Sequence, residues 1–239
     1  DDYGIYLHDT VVNNTIDGNT IETLDAYGIR INNNANNNTI SNNDITAGQN
    51  GILVYSTATY NKVFNNNITT RVASGRPLYV HTANQNTFYN NNLACANTCW
   101  GIHLTTSNSN LFANSTITNA SPDDYYATSN SQNNILLNMT FDVNDMTFNS
   151  GTNNVTIQWY ARVNVTDTSS NPISGATANI SDVNSVQDFS GSTDENGLTD
   201  WTIITDRIRS NTGTIWKNNH TISADAAGYF PNTGSFNFT

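Results

Sequence analysis

Residues 28–45 read GIRINNNANNNTISNNDI, and residues 51–68 read GILVYSTATYNKVFNNNI. Laid over one another, the two segments keep their apolar positions. Each opens on a pair, Ile29/Ile31 and Ile52/Val54, then carries a single apolar residue, Ile40 and Val63, and ends on Ile45 and Ile68. The pattern extends in both directions. Pairs recur at Ile5/Leu7, Leu78/Val80, Ile102/Leu104 and, on a period near 24, Tyr126/Thr128. Single positions recur at Ile16, Phe88, Phe112 and Leu136, and again at Ile21, Leu93, Ile117 and Phe141. Asparagine keeps the same phase: Asn14, Asn38, Asn61, Asn86, Asn110 and Asn134 form one column, and Gly18 with Asn42, Asn65, Asn90, Asn114 and Asn138 forms a second. Self-similarity at a fixed period of this size is the signature of stacked coils.

The type of coil follows from spacing. A leucine-rich repeat can run at this length, but it needs a convex, often helical segment. Here the apolar residues are separated by Asn, Thr, Ser and Gly, which favour turns over helix, and they never sustain a three-four spacing. Short strand-like runs remain, so each repeat is expected to be one coil of three short strands, stacked about 4.8 Å above the last. Like positions then stack on like. The apolar columns fill the bore, and asparagine supplies the left-handed corners and amide stacks between coils. Low-complexity disorder has no reason to hold four large apolar residues per repeat at fixed phase. Right-handed winding is expected, because parallel crossovers are right-handed.

The Gly-Ile-x-Leu and Asn-x-Ile-x-Asn-Asn-x-Ile phrasing of residues 1 to about 145 resembles the parallel β-helix repeats of the pectin-lyase-like superfamily, in the Asn-rich form found in archaeal and bacterial surface proteins. That resemblance implies a fold. It implies no single activity, since the fold carries lyases, hydrolases and inert fibres.

After Phe141 the period dissolves. Alternating segments at 162–166, 177–181 and 235–239, separated by Asn171-Pro172, Asp194-Glu195-Asn196-Gly197 and Gly228, point to a β-sandwich. VTDTSSNPISGATANISD (165–182), STDENGL (192–198) and DAAGYFP (225–231) resemble the carboxypeptidase regulatory-like, transthyretin-like (prealbumin-type) domain, which implies a spacer or adhesion module without catalytic residues. The expected architecture is all-β: a right-handed parallel β-helix of about six coils over residues 1–152, then an Ig-like or prealbumin-like sandwich over 153–239. Asp194, Glu195 and Asn196 suit a tight turn closed by Gly197 better than a calcium loop.

Composition narrows function. The formal net charge is −11 with only two lysines, so no basic stripe exists to neutralise phosphate, and nucleic acid is excluded as a partner. No run of 18 apolar residues occurs, so no membrane span is expected. The sequence opens without Met or a signal peptide, which suggests a processed form or a piece of something longer. Asn-x-Ser/Thr sequons number eleven, close to what chance gives in a chain so rich in these residues. Asn37, Asn67, Asn154, Asn164, Asn179, Asn219 and Asn237 are the candidate N-glycan acceptors. Asn114 and Asn138 are expected to be shielded by stacking. Cys95 and Cys99, four apart, suit a local disulfide outside the cell, with free thiols or half a metal site as alternatives.

Chemistry is sparse. The longest connection between coils, Ile68 to Leu78, holds Arg71 and Arg76. Trp100 and Asp124 occupy the column that contains Arg76, and the four residues mark the candidate binding edge. Asp123-Asp124 follows Pro122 in a turn and reads as two solvated carboxylates rather than a glycosidase pair. His8 and His81 share a column but stand three coils, roughly 14 Å, apart, too far to share a metal. His103 stacks with Tyr79 in an outward column and suits a surface contact. There is no Gly-x-Ser-x-Gly motif and no phosphate loop. Neither a metal nor another cofactor is expected. The leading reading is a non-enzymatic extracellular structural protein, a subunit of a glycosylated filament, sheath or surface layer. Its copies would assemble head-to-tail through a first-coil face formed by Ile5, Leu7, Ile16 and Ile21. The alternative is a carbohydrate-binding or polysaccharide-modifying β-helix.

Overall fold

The computed structural model describes residues 3–238. Asp1, Asp2 and Thr239, the last residue of the alternating segment 235–239, lie outside the described residues. All described elements are strands or turns. The chain divides into two compact units, Asp1–Val155 with Ser210–Thr212, and Thr156–Arg209 with Gly213–Thr239.

The first unit is a β-solenoid of about six turns at about 24 residues each, with three strands per turn stacking into three parallel sheets. The first sheet runs from Tyr3–Leu7 through Tyr27–Ile31, Asn50–Tyr55, Arg76–His81, Ile102–Thr105 and Tyr125–Thr128 to Met146–Phe148. The second takes Thr15–Asp17 and its equivalents up to Asn134–Leu137, and the third takes Thr20–Glu22 up to Thr116–Thr118. Registers match the sequence period: Ile5 pairs with Ile29, Ile29 with Ile52, and Leu78 with both Ile52 and Ile102. The columns fill the bore, where Ile29, Ile40, Ile45, Ile52, Val63 and Ile68 are fully buried. Phe88 and Phe112 stack there with centroids 4.8 Å apart and planes 7° from parallel.

One register differs from expectation. In the sixth coil Ile102 pairs with Tyr125 and Leu104 with Ala127, so the inward pair is Tyr125/Ala127 rather than Tyr126/Thr128. This coil is one residue short of the period, and a one-residue slip exchanges the two faces of a strand. Tyr125 is buried and Tyr126 turns outward.

The asparagine columns divide the two tasks expected of them. Asn14, Asn38, Asn61, Asn86, Asn110 and Asn134 form a ladder. In it the backbone N–H of each residue donates to the side-chain oxygen of the next, at 2.9–3.0 Å. A second buried ladder, not foreseen, runs through Asn19, Asn43, Asn66 and Asn91 to the Ser115 hydroxyl. The column of Gly18, Asn42, Asn65, Asn90, Asn114 and Asn138 instead supplies the corner, with φ between +50° and +67°. That conformation is tolerated by Gly and Asn, which explains the residue choice. Corner asparagines are exposed, so the expectation that Asn114 and Asn138 are shielded is corrected: only one amide bond joins them, from Asn138 Nδ2 to Asn114 Oδ1 at 2.9 Å.

The second unit contains a four-stranded antiparallel sheet in the order Gln187–Ser192, Thr177–Ser181, His220–Asp225, Asn232–Phe236. Ala178 and Ile180 from this sheet meet Val163 and Ile204 from outside it in a buried core. At Asp194–Gly197 the Asp194 carboxylate accepts the N–H groups of Asn196 and Leu198, both at 2.9 Å, and Gly197 takes φ +72°, which is a tight turn.

Candidate ligand-binding face

The first sheet begins at the corner where each coil turns in from the third. In five coils the corner residue is Gly4, Gly28, Gly51, Pro77 or Gly101. A Cβ added at Gly28 would lie 2.4 Å from Ile45 and 2.6 Å from the Gly51 carbonyl, so in this coil a side chain at the corner requires the wall to shift. The residue before each corner and the second residue after it both point outward. Two adjoining outward columns result: Tyr3, Tyr27, Asn50, Arg76 and Trp100, and Tyr6, Arg30, Leu53, Tyr79, His103 and Tyr126.

Side chains from both columns converge. The Arg76 guanidinium lies over the rings of Tyr79 and Trp100, at 4.7 and 5.1 Å from their centroids. Its Nε–H donates to His103 Nδ1 at 2.6 Å. His103 in turn packs against Tyr79 at 4.6 Å and edge-on against Tyr126 at 4.7 Å. Burial, with the Arg76 charge and then His81 adding to it, pushes the His103 pKa down to about 3. The ring is therefore neutral at physiological pH. Because Nδ1 accepts, the proton sits on Nε2, which faces the Thr105 hydroxyl at 3.3 Å. Burial also lowers the Arg76 pKa, against the opposing pull of Tyr79, Tyr27 and Tyr126. Nearer the first coil, Arg30 lies 5.2–5.4 Å from the rings of Tyr3, Tyr6 and Tyr55 and donates to the Tyr3 hydroxyl at 2.5 Å. Cation–π packing holds both arginines in place.

Several polar atoms on this face are buried without a hydrogen-bond partner in the chain: Asn50 Oδ1, Asn32 Oδ1, Arg30 Nε and Trp100 Nε1. Asn50 is 4% exposed and stands beside Arg76 in its column. Buried polar groups in proteins are nearly always paired, so this concentration is unusual.

Of the four residues of the expected edge, the structure brings two together. Arg76 and Trp100 are in contact. Arg71 is engaged with Glu22 of the third sheet at 2.7 Å. Asp124 is not in the Arg76 column: the shortened sixth coil places it opposite Gly101, where it is buried and its carboxylate accepts the Asp142 N–H at 2.6 Å. Asp123 and Asp124 are buried rather than solvated, and Asp123 accepts the Thr147 hydroxyl at 2.6 Å. Burial raises the Asp124 pKa, with Asp145, Asp142 and Asp123 adding to it against the Asp142 hydrogen bond. His103, read as a surface contact, is 7% exposed and sits within the cluster. Tyr3, Tyr6, Tyr27, Arg30, Asn50, Tyr55 and Tyr126 were missed. Their signal was the recurrence of aromatic and arginine residues at outward phases of the same period.

The other sequence-derived sites are spread out. Cys95 and Cys99 are joined by a disulfide. Asn37, Asn164, Asn219 and Asn237 are exposed, and Asn37 and Asn219 adopt positive φ. Asn67 is exposed but its amide bridges Asp44 and Asn92. Asn154 and Asn179 are half-buried, and Asn154 Oδ1 accepts the Asn133 N–H. In the first coil Ile16 and Ile21 are buried while Ile5 and Leu7 are half-buried. Among the described residues, no group of three or more His, Cys, Asp or Glu side chains is placed to hold a metal ion, and no helix is long and apolar enough to cross a membrane.

Residues 1–99 match the sequence model of a family described as periplasmic copper-binding protein (NosD). The match covers less than half of the chain and lies within the solenoid. No curated protein and no solved structure matches the chain.

Proposed function

We propose that the solenoid is a non-catalytic, extracytoplasmic polysaccharide-binding module that holds a linear glycan along the outer face of its first sheet. The observation that carries this reading is the row of rings on that face, Tyr3 and Tyr6, Tyr27, Tyr55, Tyr79, Trp100 and Tyr126, at least one from each coil. Rings combine apolar area with low conformational entropy, and stacked coils repeat them along one axis, as an extended polymer requires. A purely structural coil, such as a filament or surface-layer subunit, has no need of this face, so binding takes precedence over that reading.

A non-catalytic role is supported by how the neighbouring carboxylates are used. Glycoside chemistry needs an acid and a base free to flank a sugar. Asp124 is buried and holds the Asp142 N–H, and Asp123 is committed to Thr147. Location outside the cytoplasm is supported by the Cys95–Cys99 disulfide and by the periplasmic description of the matched family.

Copper, named in that family's description, does not fit the residues present. Copper favours Cys, Met and His ligands. Both cysteines are oxidised, Met139 and Met146 are 2% and 7% exposed, His8 is bound to Asp9, and His103 Nδ1 is held by Arg76. We assign no copper site.

The test is affinity electrophoresis against a panel of soluble polysaccharides. At least one should retard the chain, and Tyr79→Ala should weaken that retardation while the melting temperature stays near the parent's. Migration unchanged by every polymer in the panel overturns the reading.

A further inference from the structure

The cations on this face lack anions. Among the described residues, Arg71 pairs with Glu22, Arg207 with Asp206 and Lys217 with Asp182, whereas neither Arg30 nor Arg76 has a carboxylate within ion-pair distance. In a chain of net charge −11, carboxylates to neutralise them are plentiful. Yet Asp123 and Asp124 of the sixth coil, two steps from Arg76, are both turned to other partners. Both guanidiniums are instead surrounded by rings, and Arg76 spends its Nε–H on a neutral imidazole. A partly desolvated cation without a counter-ion is unfavourable unless something else completes it.

The unmet groups define what would complete it. Arg76 and Arg30 offer N–H donors arranged as planar forks, which match an oxyanion in two-bond geometry. Trp100 Nε1, Asn50 Oδ1 and Asn32 Oδ1 are buried beneath this surface, so the half-buried guanidiniums are the groups a ligand would meet. A ligand that completes them carries oxyanions. Arg30 and Arg76 belong to coils two steps apart, so successive anionic groups would be separated by roughly 10 Å along the axis.

Resting on the polysaccharide-binding reading above, we infer that the ligand is an anionic glycan whose carboxylate or sulfate groups are taken by Arg76 and Arg30. The rings of Tyr79 and Trp100 keep water from the Arg76 ion pair. Arg76 is then the residue that sets specificity for charge, while the aromatic row provides affinity for the chain of sugars.

Two matched pairs of polymers test this in affinity electrophoresis: carboxymethyl cellulose against hydroxyethyl cellulose, and dextran sulfate against dextran. The expected result is that one anionic member or both bind at least about tenfold more tightly than the neutral partner, as hydrogen bonds to a charged group would give. Retardation by one pair alone identifies carboxylate or sulfate as the source. Arg76→Gln should remove about tenfold of this preference and lessen its salt dependence. Arg76→Lys should retain part of it, and Lys62→Gln, on the second sheet, should leave it unchanged. Should Arg76→Gln prove unfolded in a thermal melt, Arg76→Lys and Arg30→Gln carry the comparison. Equal retention by anionic and neutral polymers sinks the inference but leaves polysaccharide binding standing. Preference for anions that survives Arg76→Gln and Arg30→Gln also sinks it, since the charge is then read elsewhere. Retention by none of the four polymers or any other glycan removes both.

Discussion

Replacing Asn110 by Asp changes one NH2 group to an oxygen at the centre of the solenoid wall. Asn110 is 1% exposed. Its Oδ1 accepts both the backbone N–H and the Nδ2 of Asn86, at 3.0 and 3.3 Å, and a carboxylate would preserve those bonds. Its Nδ2, however, donates to Ala83 O, Asn108 O and Asn134 Oδ1 at 3.1–3.2 Å. In the variant, three oxygens would face a fourth. Asn134 Oδ1 keeps the Asn110 backbone N–H and Asn108 O keeps the Gln85 N–H, so Ala83 O is the acceptor that loses its donor. At about 1–3 kcal/mol for such a loss, the lower bound is roughly 1 kcal/mol before the repulsion of the buried charge, against about 5–15 kcal/mol for a whole domain. Protonation restores one donor, so the folded-state pKa of the introduced carboxyl should lie above its unfolded value. With that sign, stability is greatest below the unfolded pKa of about 3.9 and falls as pH rises through the folded pKa. Thermal melts followed by circular dichroism between pH 4 and pH 7 would show a widening gap between variant and parent. Asn114→Asp, on the exposed corner column, should shift stability by no more than about 0.5 kcal/mol. If Asn110→Asp melts with its parent at pH 7, the buried ladder is not what holds the coils in register.

Phe112→Ala removes one of two stacked rings from the bore and should destabilise the solenoid by about 3–5 kcal/mol in a denaturant titration. Asp124→Asn keeps an acceptor for the Asp142 N–H but removes a buried charge. Because burial raises the Asp124 pKa in the folded state, the parent loses stability as pH rises through that value, so the variant should be the more stable at pH 7 and the difference should vanish at low pH in paired melts. Peptide mass spectrometry of material from the native source should find glycan at exposed sequons such as Asn164 and Asn219, with half-buried Asn179 bare. Unmodified peptides at every sequon would remove glycosylation from the account.

The bore was legible because packing admits few residue types there. Ile, Val, Leu and Phe at fixed phase leave little choice but a stacked coil, and Asn14 through Asn134 followed in step. Where two asparagines stand side by side, as in Asn42-Asn43, composition could not assign the roles. Backbone geometry did, giving the corner to Asn42 and the ladder to Asn43. The candidate site was legible only in part. Arg76 was found through its place in a long connection and Trp100 through sharing its column, but the residues around them obey no rule of burial that would mark them in advance.

The period, the three-strand coil, the inward columns and the change of pattern after Phe141 are therefore properties of the sequence itself, since each follows from hydrophobic spacing and turn chemistry acting locally. Tertiary structure decided the sixth coil, where one residue fewer sends Tyr125 inward and Tyr126 out, because a strand has only two faces and a single step exchanges them. It also decided that Arg76, Tyr79, Trp100, His103 and Tyr126, contributed by three successive coils, form one cluster. They lie up to 50 residues apart in the sequence, and only stacking brings their side chains within reach of each other.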